Sequence, residues 1–208
     1  MKQKSYVVTG GSRSYGASIS HALRSRDHIV YDIQRHIRPM LEDIFDSQLE
    51  LKYWISCDFS QAHDTVSAAT HLLDQKIKLN GMVHAVACHE AIDPRLISTL
   101  DMAKHFTVNV FGPLLFTLYC HQANVLPQGS RVIFLLDQRK SDNSQIMYSA
   151  AKSSTQAIVS QFYPLFDSVD FMFVAMPNRR VPSGDDAEDT IVNLLQNESC
   201  SNDALLIV

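Results

Sequence analysis

Tyr148 and Lys152 stand four residues apart in the run Tyr148-Ser149-Ala150-Ala151-Lys152. On a helix that spacing places a phenol and an ammonium on one face. Bringing a phenol from its ordinary pKa of about 10 toward 7 takes roughly 4 kcal/mol. A cation about 4 Å away, at an effective dielectric of about 20, supplies on the order of that. The pair can therefore act as an acid and base, and the small residues between its members let a substrate or cofactor come close. The same spacing is common on surface helices, so its meaning depends on where the helix lies.

A second group of residues could hold a phosphate. Tyr6-Val7-Val8 reads as a strand running into Thr9-Gly10-Gly11-Ser12-Arg13-Ser14-Tyr15-Gly16. Gly10 and Gly16 allow backbone to approach a pyrophosphate, and the helix that follows offers unpaired N–H groups and the positive end of its dipole. Ser12, Arg13 and Tyr15 belong to the same turn. Ser14 occupies a slot often filled by glycine; its hydroxyl can contact phosphate while its Cβ narrows the approach. The next strand reads as ending at Asp32. In dinucleotide folds a carboxylate there accepts hydrogen bonds from the adenosine ribose and repels a 2′-phosphate, which leans toward NAD. Arg13 and Arg35 suit a 2′-phosphate and argue for NADP. The short interval from Gly16 to Asp32 leaves Gln34 as an alternative occupant of the recognition slot.

The elements that must position these groups alternate between short apolar runs and longer amphipathic ones. Strands are expected at Tyr6–Val8, His28–Tyr31, Tyr53–Cys57, Met82–Ala87, Arg131–Leu136, Phe171–Ala175 and Leu205–Val208. Helices are expected over Ile19–Arg26, Met40–Leu51, Asp64–Lys76, Leu100–Asn124, Ile146–Leu165 and Ala187–Gln196. This order calls for an α/β fold, a doubly wound parallel sheet with helices on both faces. No repeat or linker interrupts it, so residues 1–208 read as one domain.

Composition sets outer bounds. The chain has 208 residues, 46% apolar and 19% charged, with a formal net charge of −4. That supports a sizeable core and argues against disorder. No basic block points to nucleic acid or an anionic membrane. The stretch Phe106 to Leu126 contains Asn109, Pro113 and His121 and reads as a buried helix, not a membrane span. Cys57, Cys88, Cys120 and Cys200 form no CxxC pair, and the apolar run after the basic N-terminus breaks at Thr9-Gly10. A reducing, cytoplasmic setting is expected. Cys88-His89-Glu90 lacks a second ligand pair at suitable spacing and reads as a loop, so no metal site is expected. The acidic run Asp185 to Asp189 reads as the cap and first turn of the last helix.

Taken together, the sequence resembles the short-chain dehydrogenase/reductase family over nearly its whole length. The turn from Thr9 to Gly16 is similar to that family's cofactor turn, and Tyr148 with Lys152 to its catalytic pair. Cys57-Asp58-Phe59-Ser60 resembles its adenine-binding segment, and Val108-Asn109-Val110-Phe111-Gly112-Pro113 the helix carrying its active-site Asn. The resemblance implies a Rossmann-type sheet and NAD or NADP as cofactor. It implies a small-molecule carbonyl or alcohol as substrate. Tyr148 would exchange a proton with the substrate oxygen, Lys152 would hold the nicotinamide ribose, and Asn109 would fix a water that relays protons to Lys152. A buried amide that locks a helix kink is the structural reading of Asn109, and the two are compatible. The helices from Leu100 and from Ile146 resemble the family's dimer-forming pair, which implies a homodimer or homotetramer.

The departures from the family are as informative. His84-Ala85-Val86-Ala87 replaces Asn-Asn-Ala-Gly at the end of the fourth strand. Ala85, Val86 and Ala87 remain small enough for a cofactor to pass, and His84 reads as a core histidine. Asp137 stands where the family has a catalytic serine. Ionised, it would raise the Tyr148 pKa about as far as Lys152 lowers it; protonated, it could donate in the serine's place, and Ser141 or Ser144 of the following loop is the other candidate, though neither has the family's spacing. After Ala175-Met176-Pro177, where Pro177 would border the cofactor, the family's substrate lid is largely missing. Two functions follow: an oxidoreductase acting on a carbonyl, or a non-catalytic NAD(P)-binding scaffold or sensor.

Overall fold

The computed structural model describes residues 3–12, 14–35, 53–137, 143–166, 169–176, 186–196 and 205–207. Its strands are β1 (Ser5–Thr9), β2 (Ile29–Gln34), β3 (Trp54–Ser56), β4 (Gly81–His84), β5 (Arg131–Asp137), β6 (Asp170–Met176) and β7 (Leu205–Ile207). They form one sheet in the order β3-β2-β1-β4-β5-β6-β7, with every pairing parallel. The helices are α1 (Ser14–Arg24), α2 (Ala62–Asp74), α3 (Thr99–Phe106), α4 (Gly112–Gln122), α5 (Ile146–Ser160) and α6 (Asp186–Gln196). This is the expected doubly wound, Rossmann-type α/β fold. Strand order reverses between β1 and β4, which opens a crevice at the carboxyl ends of those strands.

Alternation along each strand sends side chains to opposite faces. Tyr6, Val8, Val83, Ile133 and Met172 form one core with Ile19 and Leu23 of α1 and Ile191 and Leu195 of α6. Val7, Met82, Val132, Phe134 and Phe173 form the other with Leu72 of α2, Leu114 and Phe116 of α4 and Val159 of α5. Each such side chain, fully buried, contributes about 1.5–3 kcal/mol relative to exposure. Arg26 reaches Asp189 at 2.6 Å and ties the α1 end to α6. Among the described residues no helix is long and apolar enough to cross a membrane.

Several boundaries differ from the sequence expectation. β2 continues past Asp32 to Gln34. The single helix expected over Leu100–Asn124 is broken. α3 starts on a capping box between Ser98 and Asp101, then widens into a π turn at Thr107–Phe111 before α4. Pro113 explains the break: it has no N–H for the Asn109 carbonyl one turn back. α5 ends at Ser160, and Tyr163–Leu165 is a separate 3₁₀ turn. The helix expected over Met40–Leu51 lies outside the described residues.

Candidate functional site

A cleft of about 1060 Å³ lies over the carboxyl ends of β1, β2, β4 and β5. It is floored by Gly10, Ser12, Ser14, Tyr15 and Gly16 of the turn and bordered by Gln34 and Arg35 at the β2 tip. Asp58 and Phe59 line it after β3, Ala85, Val86 and Ala87 after β4, and Tyr148 and Lys152 from α5. The sequence reading placed all of these residues at one site except the tip pair, whose part it left open. Cys88, His89 and Glu90 also line the cleft. The sequence reading treated them as a plain loop. Their only signal was position, directly after a strand that ends in the crevice.

The turn is built for close approach. Gly10 has φ +75°, and a Cβ there would lie 2.9 Å from the Val86 nitrogen. A Cβ on Gly16 would lie 2.3 Å from the Gly10 carbonyl oxygen, so glycine alone lets α1 begin against the turn. Ser14 adopts φ +50°, the left-handed region that favours glycine. This is the physical content of the Ser-for-Gly exchange seen in the sequence.

Asp32 is corrected by the structure. It is fully buried and absent from the cleft wall. Ser20 Oγ donates to its Oδ1 at 2.5 Å, and the Arg24 guanidinium pairs with its Oδ2. Burial pushes the Asp32 carboxyl pKa up, against Arg24 and Ser20, which lower it. Ser20 and Arg24 are one helical turn apart on α1, a spacing that could have exposed them as its partners. Because β2 runs on to Gln34, the residues that its tip brings to the cleft are Gln34 and Arg35. Gln34 is buried, and its Oε1 has no hydrogen-bond partner among the described residues.

Tyr148 and Lys152 are both buried on the inner face of α5. Lys152 Nζ donates to the carbonyls of Val86 and Leu135, each at 3.1 Å. The Tyr148 ring meets the His89 ring edge-on. Asn109 does not line the cleft. It sits in the π turn, where its Oδ1 accepts from the Cys88 N–H at 2.8 Å. Its Nδ2 donates to the carbonyls of Cys88 at 3.0 Å and His105 at 2.8 Å. The side chain is thus committed to clamping the strand exit to the kinked helix, which is the structural reading of that residue. Arg13 and Pro177 lie outside the described residues, as does the side chain of Asp137, whose backbone ends β5 beside Met176.

His84 is a core residue, as its sequence position implied. Thr117 Oγ1 donates to the Pro113 carbonyl at 2.9 Å, so it accepts from His84 Nε2 at 2.7 Å. The other ring nitrogen meets Thr9 Oγ1 at 3.4 Å. Burial first, and the Lys152 charge second, push the His84 pKa down to about 3. Burial is also the main reason the Cys88 thiol pKa is raised. Glu90 is held by Lys104 at 2.7 Å, and that hydrogen bond lowers the carboxyl pKa. Among the described residues, no group of three or more His, Cys, Asp or Glu side chains is placed to hold a metal ion.

The sequence matches the family model described as short chain dehydrogenase over residues 4–163. No curated protein matches it. Solved structures match its fold. An oxidoreductase of the short-chain dehydrogenase/reductase family from Brucella ovis, in complex with a partially ordered NAD, superposes with a TM-score of 0.77 at 16% identity, covering 100% of both chains. A metagenomic short-chain oxidoreductase in complex with NADP gives 0.78 at 18% identity, over 98% of this chain and 96% of the other. An apo SCOR enzyme from Clostridium thermocellum gives 0.81 at 14% identity, over 100% and 91%.

Proposed function

Since the chain belongs to the short-chain dehydrogenase family, we propose that it reduces the carbonyl group of a small molecule with NADP(H), Tyr148 supplying the proton. One observation carries the reading: Tyr148 and Lys152 face the same cleft as the glycine turn and the tips of β1, β2, β4 and β5. The residues present fit a dinucleotide. The glycine turn, Asp58 and Phe59 line one cleft with Tyr148 and Lys152, and the Gln34 side-chain Oε1 at the cleft wall is buried with no hydrogen-bond partner among the described residues. When bound, the cofactor supplies a hydride to the carbonyl carbon. Tyr148 gives its hydroxyl proton to the carbonyl oxygen and regains one from solvent, so aldehyde or ketone, NADPH and a proton become alcohol and NADP⁺. Lys152, which lines the same cleft, would hold the cofactor's ribose and favour the Tyr148 phenolate. Asn109 acts through the strand exit that it clamps.

The preference for NADP over NAD rests on the β2 tip. Asp32, the group that would repel a 2′-phosphate, is buried beneath the turn, whereas Arg35 lines the cleft. The complexes with NAD and with NADP among similar folds leave room for either. A homodimer or homotetramer belongs to the same proposal, because Phe111 and Leu115, flanking the start of α4, and Ile146 of α5 are exposed. Sedimentation of the purified protein tests it.

A second reading, a dinucleotide-binding scaffold without turnover, is supported by the Lys152 ammonium being held by two backbone carbonyls. Tyr148→Phe separates the two. Wild-type protein that oxidises NADPH with an aldehyde and ketone panel, and a variant that binds NADPH equally but does not, supports the reductase. Tight binding without turnover in both supports the scaffold.

A further inference from the structure

Resting on the carbonyl-reductase reading, we propose that His89 is the second hydrogen-bond donor to the substrate's carbonyl oxygen, beside Tyr148. The chain leaving β4 meets three of the four catalytic candidates in turn: Lys152, Asn109 and Tyr148. Val86 accepts from Lys152, and Cys88 is clamped at its N–H and its carbonyl by Asn109. The His89 ring then stands edge-on to Tyr148, with centroids 5.5 Å apart and planes at 86°. Beyond it, Glu90 is held by Lys104, and the Ile92 N–H donates at 2.8 Å to the Ser144 carbonyl, just before α5. The backbone on both sides of His89 is therefore fixed to the elements that carry Asn109 and Tyr148.

The chemistry asks for such a group. A positioned donor that holds the reacting oxygen is worth about 10²–10³ in kcat. The family resemblance would take it from a serine at the β5 tip, where this chain has Asp137, a group that donates a hydrogen bond only when protonated. Of the polar residues lining the cleft after β4, Glu90 is an acceptor occupied by Lys104. Cys88 carries only a weak thiol donor. An imidazole carries at least one N–H in either protonation state. Ring packing against Tyr148 is the competing role for His89, and a phenylalanine would preserve it.

The test compares wild type, His89→Phe and His89→Gln in NADPH-dependent reduction of an aldehyde and ketone panel, with NADPH dissociation constants measured alongside. His89→Phe should lose about 100-fold in kcat with NADPH affinity within about twofold, and His89→Gln should regain roughly tenfold. As a second readout, the ¹⁵N imidazole signal of His89 should shift when trifluoroethanol, standing in for the alcohol product, is added to NADP⁺-saturated protein. Wild-type turnover by His89→Phe with an unmoved imidazole signal overturns the role of His89 alone. Wild-type protein without turnover overturns the reductase reading and the inference with it.

Discussion

Asp32 lies directly beneath the glycine turn, so close that a Cβ on Gly11 would come within 2.1 Å of its Oδ1. Its two oxygens are taken by Ser20 and Arg24. A carboxylate so engaged supports the turn from inside the protein. Asp32→Asn should therefore lower stability yet leave the ratio of NADPH to NADH affinity within about twofold. Arg35→Glu should weaken NADPH about 10- to 100-fold relative to NADH, the worth of one hydrogen bond to a charged group at about 1.5–3 kcal/mol. Calorimetric titration of both variants with both cofactors checks this.

Arg24 is the counter-charge for a fully buried carboxylate, and it also lies over the Trp54 ring. Removing one member of such a pair costs about 3–5 kcal/mol. A quarter of the Arg24 side chain is exposed, which places Arg24→Ala at the low end, about 3 kcal/mol. Urea unfolding measures it, and a loss under about 1 kcal/mol would mean that water reaches Asp32.

Ser14 holds a backbone conformation with φ +50°. A non-glycine residue there costs about 1–2 kcal/mol. Part of that is offset by the wider freedom of glycine when unfolded, so Ser14→Gly should stabilise the protein by about 1 kcal/mol. Thermal melts of the two proteins at one pH decide the sign.

His84 makes folding acid-sensitive. Its pKa is about 3 in the folded protein against an ordinary value of 6.5. Between those values the unfolded chain takes up a proton that the folded chain refuses, so stability falls as pH drops through this window. The slope from this one residue is up to about 1.4 kcal/mol per pH unit. His84→Gln should flatten the dependence of the urea midpoint on pH between about 4 and 6.5.

Periodicity made much of this legible. The alternation of Tyr6, Val7 and Val8 already divides them between two cores, and the four-residue spacing of Tyr148 and Lys152 already puts them on one helix face. The end of β2 was not legible, because Ile33 and Gln34 continue the strand past a carboxylate that looks like a strand terminus. Ser20 and Arg24, one turn apart on α1, both meet Asp32, and that meeting shows that this acid points inward. The π turn escaped because Val108 and Val110 keep an apolar pattern through it, although Pro113 marks the spot. His89 escaped for a different reason. Its contact with Tyr148 joins residues 59 positions apart, and nothing local announces it.

A crystal structure of the protein grown with NADP⁺ tests the central claim most directly. The account predicts a dinucleotide over the β1 and β4 tips. Lys152 Nζ should have left the Val86 and Leu135 carbonyls for the nicotinamide ribose, with the Tyr148 hydroxyl facing the nicotinamide. A dinucleotide bound elsewhere, or one seated in the cleft while Lys152 keeps both carbonyls and Tyr148 turns away, would contradict it.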